Sequence, residues 1–202
     1  MENRISKIRL QISVISAVFS FVIYFFTLAP GVTFTDSGEL AAVCSTLGIA
    51  HPTGYPLFTI IGYLWQLLPL SSSVIYELNI FAAFLTALSS AALANAMLSL
   101  LLIISRKDTP NFKTKRTAGF SHLLLIPLLT SLTYSFAGTV WAQGTSLEVY
   151  PLHLLIMNLA LWALFSAFTE ENISVKKLGI SAFLLGLGFS NHGTTLLLLP
   201  AF

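Results

Sequence analysis

Apolar residues run through this chain in long blocks rather than in short amphipathic repeats. A helix needs about 20 mostly apolar residues to cross a bilayer. Five segments approach that length: Ile8–Ala29, Leu78–Ile104, Phe120–Phe136, Val149–Phe168 and Leu178–Phe202. The last is interrupted by Ser190-Asn191-His192-Gly193, which predicts a broken helix or one span followed by the start of another. Tyr55–Leu70 is shorter and prolines flank it, so it predicts an interfacial or re-entrant helix. Between the first span and this segment, Ser37–Leu47 reads as a second short surface helix. The expected fold is an all-α, multi-pass transmembrane bundle in one domain, residues 1–202, with short interfacial helices in its first outer loop.

Composition agrees. Hydrophobic residues are 55% of the 202, charged residues only 9%, and mean hydropathy is +0.84. A soluble domain carries about 25% charged residues, so a bilayer is the solvent that fits. The single cysteine, Cys44, excludes an internal disulfide and a multi-cysteine metal site. A net charge of +2 is too small for a nucleic-acid surface. The basic N-terminus and the apolar run after it lack a clear cleavage site, so they read as an uncleaved first span.

Charge sets the expected orientation. Arg4, Lys7 and Arg9 precede the first span, Arg106, Lys107, Lys113, Lys115 and Arg116 separate the second and third, and Lys176 and Lys177 separate the fourth and fifth. If spans alternate, all 10 cations face one side, which the positive-inside rule makes cytoplasmic, the N-terminus with them. Asp108, Glu170, Glu171 and Glu2 fall on that same side. The opposite face receives the loop Pro30–Tyr76, the short loop Ala137–Glu148 and the break at residues 190–193. Asp36, Glu39, His51, Glu77, Glu148, His153 and His192 therefore gather near the outer or lumenal face.

Several of these residues could carry chemistry. Asp36 and Glu39 stand three apart, which puts two carboxylates on one helix face. The same spacing has the form of a capping box opening the helix at Ser37. A half-dehydrated carboxylate there could also act as a general base. His51-Pro-Thr-Gly-Tyr-Pro is turn chemistry, in which His51 is either solvated or a donor to a phosphate or metal. Tyr55, Trp141 and Tyr150 read as interface aromatics. Glu77 and Glu148 suit helix N-termini. Glu148 and His153 also lie against hydrocarbon, where ionisable groups point to function. His192, with Asn191, sits in a polar break tolerated only inside protein or beside a cavity.

Read in order, these segments resemble a family of protein O-mannosyltransferase-like polytopic membrane proteins. The matching pieces are Thr27-Leu-Ala-Pro-Gly-Val-Thr, Asp36-Ser-Gly-Glu-Leu-Ala-Ala, Leu47-Gly-Ile-Ala-His-Pro-Thr-Gly-Tyr-Pro-Leu, Gln143 to His153, and Gly188-Phe-Ser-Asn-His-Gly-Thr-Thr. The chain departs from the family pattern at Phe34-Thr35, where Trp-Gly is usual, and at Thr53, where Pro is more frequent. The resemblance implies a GT-C-type inverting glycosyltransferase, with this chain as the N-terminal part of a longer membrane domain. It implies a polyprenyl-phosphate sugar donor and a hydroxyl acceptor, such as protein Ser or Thr. Asp36 would be the base, with Glu39 beside it, and His51, Tyr55, Glu148, Asn191 and His192 would meet substrate. With no Lys or Arg expected outside, the leaving phosphate needs a stabiliser: a histidine, helix amides or a divalent cation. The simple N-terminus and small size point to a bacterial inner membrane. The competing classes are a transporter or flippase of a lipid-linked or small polar ligand, and an inactive truncated subunit.

Overall fold

The computed structural model describes residues 2–33, 36–52, 54–107, 120–170 and 172–201. Among these residues eight α-helices follow one another: α1 Glu2–Phe26, α2 Ser37–Thr46, α3 Pro56–Trp65, α4 Val74–Lys107, α5 Phe120–Ser135, α6 Gly138–Thr145, α7 Tyr150–Ala167 and α8 Val175–Phe189. A 3-10 helix, Gly193–Ala201, follows the break. Phe34, Thr35, Thr53, Asp108, Lys113, Lys115, Arg116 and Glu171 lie outside the described residues, as does most of the basic loop Ser105–Gly119.

α4 is the central helix, and its two faces are held differently. Toward α1 and α5 an apolar cluster of Ile8, Ile12, Ala94 and Leu98 is joined by a set of small hydroxyls linking the three helices. Every fourth residue of α1 is buried, namely Ile8, Ile12, Ser16, Ser20 and Tyr24, while Leu10, Val14, Val18, Phe19 and Phe26 face outward. Ser16 Oγ lies 2.7 Å from Ser131 Oγ, Ser20 donates to Ser135 at 3.0 Å, and Tyr24 donates to the Ser135 carbonyl at 2.7 Å. Ser135 in turn donates to Ser90 of α4 at 2.8 Å. Small polar residues let membrane helices approach closely and hydrogen-bond where apolar burial gives no net drive. On the other face, α7 packs through Leu152 and Ile156 onto Phe81 and Leu85.

The contacts fix the direction of each helix. Arg9 reaches Ser99 at 3.1 Å, so the start of α1 meets the end of α4. Asn79 meets Leu147 and Asn158 meets Ser89, so α7 runs parallel to α4. Ser181 of α8 donates to the Ala160 carbonyl, and Lys177 pairs with Glu170 beside the end of α7. One end of the bundle therefore holds the start of α1, the ends of α4 and α7 and the start of α8. The other end holds α2, α3, α6, the start of α7 and the residue 190–193 break.

Among the described residues three helices, α1, α4 and α7, are long and apolar enough to cross a membrane. Two expected spans differ. α5 is 16 residues, about 24 Å of helix, and continues into α6 after a 67° bend. The pair can count as a fourth, bent span, and the expected loop Ala137–Glu148 is mostly the helix α6. The segment Leu178–Phe202 is no single span: α8 is 15 residues and stops at the predicted break. α2 ends at Thr46, one residue before the expected Leu47, which takes the left-handed C-cap conformation (φ 52°). α3 covers the core of the short apolar stretch expected over Tyr55–Leu70.

Candidate active site

The site is assembled from α2, the turn after it, the start of α7 and the break after α8. Asp36 is the N-cap of α2, but its side chain makes no capping bond. The expected capping box is absent because Glu39 is used elsewhere. Its carboxylate accepts the His51 backbone N–H at 2.7 Å and His51 Nδ1–H at 3.0 Å. These two bonds hold the Glu39 carboxyl below its ordinary range. Ser37 fixes the loop instead: its buried hydroxyl accepts the Thr33 N–H at 2.9 Å and donates to the Thr33 carbonyl at 3.1 Å.

His51 is consequently not a lone turn histidine. A carboxylate can only accept, so Nδ1 carries a hydrogen and the neutral ring presents a lone pair at Nε2. Tyr55 Oη lies 3.3 Å from Nε2, and Asp36 Oδ2 lies 3.8 Å from it, beyond hydrogen-bond range. The turn itself needs two left-handed residues, Gly54 (φ 88°) and Tyr55 (φ 45°). Glycine takes that conformation freely, whereas a tyrosine there is strained and must be held. Its ring is held: Tyr55 is 7% exposed and stacks on His192 at 5.7 Å with an interplanar angle of 4°. Tyr55 is thus part of the site and not an interface anchor. Burial, with the nearby Tyr150, Asp36, Glu148 and Glu39, raises its phenol above the ordinary value.

From His192 the cluster continues to α7. Its ring lies 5.2 Å from Tyr150 and 5.4 Å from His153. Glu148, just before α7, is half-buried, and burial together with the charge of Asp36 raises its carboxyl above the ordinary range. The structure therefore brings together Asp36, Glu39, His51, Tyr55, Glu148 and His192. Asn191 is the exception: its buried amide donates to the Val149 carbonyl at 3.4 Å, tying the break to the start of α7. Glu77 stands in the first turn of α4 as expected, but is only 5% exposed. Tyr150, His153 and Thr194 join the cluster without having been named as substrate contacts. The spacing of Tyr150 and His153, three apart at a helix start, was the available signal for two of them.

Two carboxylates and one imidazole form a group whose ligand atoms lie within 4.8 Å of one another: Asp36, Glu39 and His51. These are donor types that a divalent cation takes, and His51 Nδ1 is held by the Glu39 carboxylate in the way that orients ligating imidazoles.

The fold and this cluster define a helical membrane protein with carboxylate, phenol and imidazole groups concentrated at one end of its bundle. Residues 36–202 match the family model described as the protein O-mannosyl-transferase TMEM260 N-terminal domain. A protein O-mannosyl-transferase TMEM260 from Mus musculus is 32% identical over 188 residues, covering 90% of this chain and 24% of the relative. A protein of the same name from Dictyostelium discoideum is 26% identical over 198 residues, covering 90% of this chain and 21% of the relative. The chain belongs to this O-mannosyltransferase-like family. It spans about a quarter of the length of the curated relatives it matches. Both relatives are eukaryotic, so the bacterial inner membrane expected above has no support from them. No solved structure matches the chain.

Proposed function

We propose that the chain carries the donor end of a GT-C-type inverting glycosyltransferase, moving mannose or another hexose from a polyprenyl phosphate to a hydroxyl. The relatives' names support mannose as the sugar and protein as the acceptor. The observation that carries the reading is the meeting of Asp36, the Glu39–His51 pair, Glu148 and His192 at the bundle end away from the described cations. By the positive-inside rule that end is the outer or lumenal one, and the N-terminus is cytoplasmic.

In this mechanism Asp36 accepts the proton of the acceptor hydroxyl. The acceptor oxygen forms its bond to the anomeric carbon as the bond from that carbon to the phosphate oxygen breaks. The electron pair leaves with the polyprenyl phosphate, and the anomeric centre inverts. Glu39 orients His51 so that Nε2 faces the reacting region. Glu148, whose carboxyl burial favours in the neutral form, can donate a hydrogen bond to the sugar. Asp36, Glu39 and His51 fit a divalent cation, which would supply Lewis-acid stabilisation of the leaving phosphate.

The test compares the chain and its Asp36→Asn variant in bilayers holding radiolabelled polyprenyl-phosphate mannose and a Ser/Thr-rich peptide. Loss of a general base lowers transfer by about 10²-fold or more. Undiminished transfer by the variant removes Asp36 as base. Label that crosses the bilayer without joining the peptide favours a transporter, the class that the broken helix at residues 190–193 also suits.

A further inference from the structure

The break after α8 and the start of α7 align two imidazoles about one hydroxyl. Thr194 Oγ1 lies 2.8 Å from His192 Nδ1 and 2.9 Å from His153 Nε2. The Thr194 backbone N–H donates to His192 Nδ1 at 3.2 Å. A ring nitrogen that receives an N–H carries no hydrogen of its own, so the neutral ring of His192 is protonated at Nε2. The Thr194 hydroxyl faces that bare Nδ1 at 2.8 Å, where two lone pairs would repel, so it donates. Its single hydrogen is then used, and its oxygen accepts from His153 Nε2–H. His153 is 7% exposed and its Nδ1 has no partner. A second ring hydrogen there would be a buried donor without an acceptor, which keeps His153 neutral. The row therefore has one consistent polarity, from His153 through Thr194 to His192.

We propose that His153 and Thr194 are positioning residues that lock His192 as a neutral Nε2–H donor, which it offers to a phosphoryl oxygen of the lipid-linked ligand. The ligand half of this inference rests on the function proposed above; the locked tautomer does not. Tyr55 stacked on one face and Tyr150 beside the ring fix its plane, so the N–H direction is set before a ligand arrives. Preformed donors of this kind matter at an end of the bundle where Asp36 and Glu39 are the neighbouring charges and would repel a phosphate.

Histidine ¹⁵N NMR of the chain in lipid nanodiscs reads the tautomer directly. Affinity is read in parallel for a short-chain isoprenyl phosphate, with the matching isoprenol as control. His192 is expected as the Nε2–H form. Thr194→Val keeps the longer backbone N–H bond to Nδ1 but removes the shorter hydroxyl bond, so it is expected to admit some Nδ1–H form and to weaken the phosphate by roughly tenfold, the loss of one hydrogen bond to an ion, while leaving isoprenol unchanged. Thr194→Ser restores both readouts, which a merely structural role in the break does not require. An Nδ1–H His192 in the unmodified chain overturns the proposal. So does a Thr194→Val variant that changes the tautomer and leaves the phosphate preference intact. A chain that transfers no sugar but keeps His192 locked and prefers the phosphate sinks the enzymatic reading and supports this one.

Discussion

Asn79 is fully buried, yet its side chain serves two other segments at once. Its amide donates to the carbonyls of Ala29 at 2.8 Å and Gly31 at 3.3 Å, and its oxygen accepts the Leu147 N–H at 2.8 Å. It thereby joins the exit of α1 to the residue beside Glu148. Asn79→Leu keeps the branched shape but strands these backbone groups, so a loss of about 2–4 kcal/mol is expected in denaturant unfolding. Nothing in the run Glu77-Leu-Asn-Ile distinguishes such a residue, because its partners are distant in the chain. Glu148 has the opposite balance. Its folded carboxyl is raised, so the folded state favours the protonated form. Stability from that proton is present below the ordinary carboxylate range and lost as pH rises through the raised value. Glu148→Gln is accordingly expected to raise the unfolding temperature at neutral pH and to match the unmodified chain near about pH 4. An equal gain at both pH values would mean that the carboxylate is not the strained group. Asp36→Asn should shrink the gain, since the charge of Asp36 is the second cause of the shift.

Elements were more legible than the joints between them. The long apolar runs located α1, α4 and α7, and the prolines and glycine of residues 51–56 located a turn. The capping box failed because Glu39 is 12 residues from a better partner, the His51 loop, and a local pattern cannot show that competitor. α6 was missed because eight mixed residues after a proline-containing helix carry no periodic signal. Its close approach is visible only in space: a methyl group at Gly144 would lie 3.1 Å from Thr86 and 3.2 Å from Tyr24. Gly62 is the equivalent on α3. A Cβ there would meet Cys44 Sγ at 2.5 Å, and Cys44 is fully buried in α2. Gly62→Ala should therefore destabilise by about 1–3 kcal/mol, the usual penalty of overpacking. Adding Cys44→Ala should recover most of it, because the sulfur makes the closest approach and the Cys44 Cβ, at 3.3 Å, only a mild one. If the double variant is as unstable as the single one, α2 and α3 are held by something other than this contact.

At the scale of the whole molecule, one alternation decides what the site can reach. The helix directions set by the Arg9–Ser99, Asn79–Leu147 and Lys177–Glu170 contacts put Lys7, Arg9 and Lys177 at the bundle end opposite Asp36 and His51. The sequence anticipated this from its cations alone, since charges too costly to translocate mark the side on which they stay. It could not anticipate that the acidic end is also where the helices are interrupted. There α2, α3, α6 and the 3-10 helix replace full spans. The alternation makes a direct prediction. In a Cys44→Ala background, Ile49→Cys and Val175→Cys report the two ends, since Ile49 is 90% and Val175 79% exposed. In sealed membranes a bulky impermeant maleimide should label each from the opposite side, with Val175→Cys reached from the cytoplasmic face. Labelling of both from one side would put the carboxylate cluster and the cations in the same compartment. A donor whose phosphate sits at the far interface could then no longer meet Asp36.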